Sequence, residues 1–235
     1  AAGLVITDDD FTSIVGGIRL GRGIFDNLRK ATSYIIAVHV LIFGMSLVPV
    51  VVPGWPLVLL PLQIALFELI IDPACSVVFE SEQIDPEIMQ RPPRPVGARM
   101  FDARVLAIDV VQGASVLAAV LAVYLWAVLS HRPGDSVRSV TFAALVVANL
   151  ALILVNRSWR LTIWQSFRQR RNPTLKWILG AAGTLLVLLL TVPGLRDAFH
   201  FGPIGVTDWL AALAAGLAGV AWFEVYKLVG AGRSR

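Results

Sequence analysis

Charge is scarce in this sequence. Only 15% of its 235 residues are Asp, Glu, Lys or Arg, against about 25% in an ordinary soluble domain. Cysteine is scarcer still. The single Cys75 excludes a disulfide framework and a multi-cysteine metal site, and it reads as a small apolar packing residue. Residues 1–10, "AAGLVITDDD", are acidic and lack the basic opening of a secretory leader, so no signal peptide is expected. The chain does not begin with Met, as expected of a fragment of a longer chain. No short internal repeat or low-complexity tract interrupts it. What is abundant is apolar: 57% of the residues are hydrophobic and the mean hydropathy is +0.74. This composition is that of a polytopic membrane protein whose first partner is the lipid bilayer. The net charge of +4 would suit nucleic acid, but the basic residues are spread over the connections between apolar runs, where they set orientation. No nucleic-acid partner is expected.

A membrane-spanning helix needs about 20 mostly apolar residues. Six stretches qualify, at approximately 34–52, 57–79, 105–129, 139–156, 174–193 and 208–229. They are separated by turn and helix-stop chemistry: "VPGWP", "QIDPEIMQRPPRPVGAR", "HRPGD", "QRRNP" and "VPGL". The expected fold class is all-α, a polytopic bundle of six transmembrane helices. With six spans, the chain start, the second and fourth connections and the chain end share one side. That side carries 17 of the 20 Lys and Arg residues, which predicts both termini in the cytoplasm and a cell-membrane location. Ahead of the first span, Phe11, Ile14, Val15 and Ile18 repeat at i, i+3, i+4 and i+7, and Asp10 is placed as an N-cap. A cytoplasmic stalk helix running into the first span is expected. The predicted organisation is residues 1–33 as stalk, 34–79 as an ion-site helix pair, 80–104 as a cytoplasmic loop and 105–235 as a four-helix support bundle.

The second span reads "ALFELIIDPACS" and carries two acids and a proline. A charge at the bilayer centre costs at least about 2.5–3.5 kcal/mol. Glu68 and Asp72, spaced i, i+4, lie on one helical face and can point together into the bundle. Pro73 has no N–H for the carbonyl of Leu69 and crowds it. A locally unwound helix is therefore expected, with the Leu69 carbonyl oxygen free beside two carboxylates. Carboxylate and carbonyl oxygens are the ligands of a hard cation or a hydrated proton. The plainer reading is a neutral pair of acids that only helps helices pack. His39, about one and a half turns into the first span, is placed to face the acids, and Asn149 of the fourth span is a further candidate. Either residue could instead simply hydrogen-bond across the bundle. Asp109 sits near a basic helix end, where water or an Arg would satisfy it, and Glu224 is placed to pair with Lys227 at i, i+3.

Three strings carry a resemblance. "AAGLVITDDDFTSIVGGIRLGRGIFDNLRK" at 1–30 resembles the end of the phosphorylation domain and the stalk of P-type cation-transporting ATPases. "IDPEIMQRPPRP" at 84–95 is similar to the loop between their sixth and seventh membrane helices, and "DWLAALAAGLAGVAWFEVYKL" at 208–228 to their last helix. The match covers essentially the whole chain, in order. It implies that the six spans are helices five to ten of such a pump, of the calcium-pump-like group. Glu68 and Asp72 then stand where calcium pumps carry an Asn and an Asp as ion ligands, and His39 stands at an Asn ligand. Asn149 falls near a carboxylate ligand, while Ile71 and Ile42 replace a Thr and a Glu. The lost acids point to one site for a divalent cation, such as calcium or magnesium, or for a proton, rather than to two calcium ions.

The family's "DKTGT", "TGE" and "GDGxND" motifs are absent from the sequence. The resemblance thus implies a transport part that hydrolyses no ATP alone and holds no cofactor of its own. ATP and magnesium would belong to the intact pump, and the partners would be its actuator, nucleotide and phosphorylation domains and its first four helices. Two other classes fit the composition: an ATP-independent cation or proton carrier, since such carriers also break helices at mid-depth, and a non-transporting accessory protein.

Overall fold

A computed structural model describes residues 10–93, 102–159, 161–169 and 172–232. The described chain is helical throughout, with no strand. Its long helices are α1 (Phe11–Val51), α2 (Pro61–Pro73), α3 (Ala103–Leu129), α4 (Gly134–Asn156), α6 (Pro173–Thr191) and α8 (Val206–Gly232), and α5 (Ile163–Gln169) and α7 (Pro193–Ala198) are short. Among the described residues six helices are long and apolar enough to cross a membrane, α2 being counted together with the π-helical segment that follows it. They coincide with the six predicted spans to within a turn at most ends.

The 41 residues of α1 make a rod of about 60 Å, roughly twice the hydrocarbon thickness of a bilayer. One half must therefore lie outside the membrane. Asp10 caps it as expected, accepting from the Thr12 amide at 2.9 Å and the Thr12 hydroxyl at 2.6 Å. The stalk half leaves Phe11, Val15, Ile18, Ile24 and Leu28 exposed.

The core is built around α4, whose apolar residues are buried on every side, the pattern of a helix enclosed by others. It packs on α8, α3 and α1, and α3 packs on α1 and α8. Small residues let these helices approach closely. A Cβ on Gly113 of α3 would stand 2.6 Å from the Ala37 carbonyl oxygen of α1. One on Gly216 of α8 would stand 2.6 Å from Val147 Cγ1 of α4. α2 sits at the edge, against α6.

Pro73 corrects one expectation. The chain does not unwind there: α2 stays helical through Pro73, whose φ and ψ are −64° and −30°, and then widens into a π-helix over Ala74–Val78. Widening is one of the ways a helix absorbs a residue that cannot give its i→i−4 hydrogen bond. Asp72 accordingly keeps a helical backbone. Its side chain lies outside the described residues, as does that of Cys75.

Candidate cation site

Glu68 lies on α2 between the buried Phe67 and the exposed Leu69. It is half-buried and makes no hydrogen bond or ion pair among the described residues. His39 points outward from α1, and its Nδ1 lies 2.8 Å from the Ile35 carbonyl oxygen, the contact of a ring N–H donating within its own helix. Asn149 is fully buried and accepts a 2.7 Å hydrogen bond from the Tyr34 hydroxyl of α1, while its Nδ2 has no partner among the described residues. No hydrogen bond joins Glu68, His39 and Asn149 among the described residues, and there no three His, Cys, Asp or Glu side chains converge. What is brought together is α1 with α4, through Tyr34 and Asn149, and α1 with the end of the π-helical segment after α2, through the Tyr34 ring at 5.4 Å from Phe79.

The densest polar construction lies where α2 ends, and spacing in the sequence gave no sign of it. Arg157, just after α4, donates from Nε to Glu82 Oε2 at 2.9 Å and from a terminal nitrogen to Oε1 at 3.2 Å. Asn172, the N-cap of α6, donates to Glu82 Oε2 and to the Val78 carbonyl, both at 3.2 Å. The Ser81 hydroxyl donates to the Val77 carbonyl at 2.6 Å. The carbonyls at the end of the π turn are thus satisfied by side chains, as a buried helix end requires. Asn27 of the stalk donates to the Glu82 carbonyl at 2.9 Å. Glu82, Arg157 and Asn172 fix the C-terminal end of the acid-bearing helix to α4 and α6, and Asn27 ties it to α1.

The loop after that helix is held to the stalk as well. Arg22 donates to the carbonyls of Ile88 and Arg91 at 3.0 and 2.9 Å, and Arg91 pairs with Asp26 at 2.8 Å and with Asp85. Of the remaining polar residues at depth, Glu224 pairs with Lys227 at 2.8 Å as expected. Asp109 is buried with Ser33 and Arg29 acting on its carboxylate, and its Oδ2 accepts no hydrogen bond among the described residues.

A rod of double membrane thickness, a bundle of spans and a proline-widened acidic helix form one arrangement, and the sequence that builds it is similar to known ones. The family model described as "Cation transporting ATPase, C-terminus" covers residues 56–229. The chain belongs to this family. It is 25% identical over 238 residues to calcium-transporting ATPase 1 of Lactococcus lactis, covering 97% of this chain and 26% of that protein. It is 29% identical over 229 residues to the calcium-transporting ATPase of Bacillus subtilis, covering 91% of this chain and 24% of that one. A shorter match, 37% over 94 residues, links 40% of the chain to potassium-transporting ATPase alpha chain 2 of Cavia porcellus. This member of the cation-transporting ATPase C-terminus family spans about a quarter of the length of its calcium-transporting relatives, and it is the multi-pass membrane part of a P-type architecture.

Proposed function

We propose that this chain is the part of an ATP-driven pump through which the cation crosses the membrane, and that Glu68 and Asp72 bind the cation. The observation that carries the reading is the acid pair on a span that a proline widens into a π turn, within a chain of the cation-transporting ATPase family. Two carboxylates in one span are costly to insert and gain their return by exchanging a proton or a cation. The Leu69 carbonyl, deprived by Pro73 of its usual helical partner, adds a neutral oxygen. Asn149, buried on α4 with its Nδ2 unpartnered among the described residues, is a further candidate ligand, whereas His39 faces outward from α1. The cation is a divalent ion such as calcium or magnesium, or a proton; the relatives named for calcium support the divalent reading.

The stalk half of α1 and the cytoplasmic loop form the coupling element of this mechanism. Phosphorylation takes place in the domains of the longer pump, with ATP and magnesium bound there, and both ends of the present chain lie in the cytoplasm. Movement of those domains reaches α1, which is bound to the end of the acid-bearing helix by Asn27 and to its loop by Arg22. Coupling requires different cation affinities in the two conformations, because a ligand that binds both equally shifts nothing. The test is Asp72→Asn in the intact pump: it is expected to abolish cation-dependent phosphorylation from ATP, and unchanged dependence would remove Asp72 from the site.

A further inference from the structure

A cleft of about 840 Å³ opens beside α5 and the start of α6, lined by Arg157, Phe167, Arg168, Asn172, Lys176 and Trp177 among others. Its charge is one-sided. Among the described residues no acid lines it. Arg157 is engaged with Glu82, but Arg168 and Lys176 make no ion pair among the described residues, Arg168 lying only over the Trp164 ring with 6.0 Å from its Cζ to the ring centre. Lys176 stands beside the N-terminus of α6, whose first turn contains no acid. A helix N-terminus carries a partial positive charge that disfavours a cation and attracts an anion. Arg168, Lys176 and the start of α6 thus share one open cleft with no acid among its described lining residues.

The cleft also has an apolar wall. Trp177, which lines it, is 80% exposed, and Trp164, outside the lining but beneath Arg168, is 71% exposed, a large cost in water for two indoles. Trp177 is the fifth residue of a membrane-spanning helix, close to the end of the span, which is where indoles sit at a bilayer surface. A soluble phosphate would use the cations and leave the indoles bare. A membrane phosphodiester uses both.

We propose that this cleft binds the headgroup of an anionic phospholipid, its phosphate between Arg168 and Lys176 and its glycerol–acyl junction against Trp177 and Phe167. Arg157 and Asn172 form the inner wall, so an occupant also braces the network that holds Glu82.

The test is thermal unfolding of the full-length protein in neutral detergent, titrated separately with phosphatidylglycerol, phosphatidylcholine and inorganic phosphate. Phosphatidylglycerol is expected to raise the midpoint saturably and phosphatidylcholine to leave it unmoved. A basic residue near an anionic headgroup is worth about fivefold in affinity, so Arg168→Gln and Lys176→Gln are each expected to weaken the response about fivefold. The paired change is expected to weaken it about 25-fold, and Arg168→Lys with Lys176→Arg to retain most of it. Should the paired variant not fold, Trp177→Ala combined with cross-linking by a photoactivatable phosphatidylglycerol reads the same site, with loss of the α5–α6 adduct expected. Equal responses to the two lipids, an undiminished response or adduct in the variants, or a matching shift from inorganic phosphate alone would overturn the proposal.

Discussion

Arg157 and Glu82 form a two-pronged ion pair whose side chains are 1% and 0% exposed. They come from the ends of different membrane helices, 75 residues apart in sequence, and with Asn172 they form a buried polar joint between three helices. Removing one member leaves an uncompensated buried charge, which costs about 3–5 kcal/mol. Arg157→Met is therefore expected to destabilise the bundle by about that amount. The double change Glu82→Leu with Arg157→Met is expected to recover most of the loss. Reversible unfolding in detergent measures both, and additive losses would show that the two residues act independently.

Pro73 is the origin of the π turn in this account. Pro73→Ala restores an N–H to the Leu69 carbonyl and allows an uninterrupted α-helix across Ala74–Val78. Amide hydrogen exchange in that segment is expected to slow, and cation affinity to fall as the two acids and the Leu69 oxygen lose their arrangement. Unchanged exchange would mean that packing against α1 and α6, rather than the proline, imposes the wide turn.

Three glycines give a graded test of helix packing. Gly113→Ala places a methyl 2.6 Å from a backbone oxygen, which cannot yield without separating α1 from α3, and a loss of about 1–3 kcal/mol is expected. Gly216→Ala meets first a valine side chain, which can turn aside, so a smaller loss is expected. Gly180→Ala meets nothing within 4 Å and is expected to stabilise by about 0.5–1 kcal/mol through helix propensity. Thermal midpoints that do not follow this order would contradict the described close approach of α1 and α3.

The Thr12 side chain, and after it the Thr12 amide, hold the Asp10 carboxylate below its ordinary pKa. A carboxylate whose folded value is depressed stabilises above its unfolded value, about 4, and loses that contribution as pH falls through the lower folded value. The first turn of α1 is thus expected to be protected from amide exchange near neutrality and to fray as the pH falls below about 4. Asp10→Ala is expected to show the frayed pattern at every pH.

The spans were legible because lipid forces a long, uniform apolar signal, and Asp10 because its cap depends only on residues next to it. Glu224 and Lys227 were legible for the same reason, being one helical turn apart. The Glu82–Arg157 pair was not. Arg157 looks like any basic residue at a helix end, Glu82 like a polar residue in a loop, and only the packing of helices distant in sequence joins them. Pro73 marked the right place but not the right geometry, because its local chemistry is compatible with either unwinding or widening and tertiary contacts select between them. His39 was read from its position along the span. The side of the rod it occupies depends on helix rotation, and in the structure it faces outward.

Cation uptake into proteoliposomes by the intact pump, measured over a panel of divalent ions and protons, tests the central claim most directly. Glu68→Gln and Asp72→Asn are each expected to abolish ATP-driven uptake of the ion that the parent protein carries, while the nucleotide is still bound. Uptake at the parent rate and affinity in both variants would place the transported ion elsewhere and contradict the account.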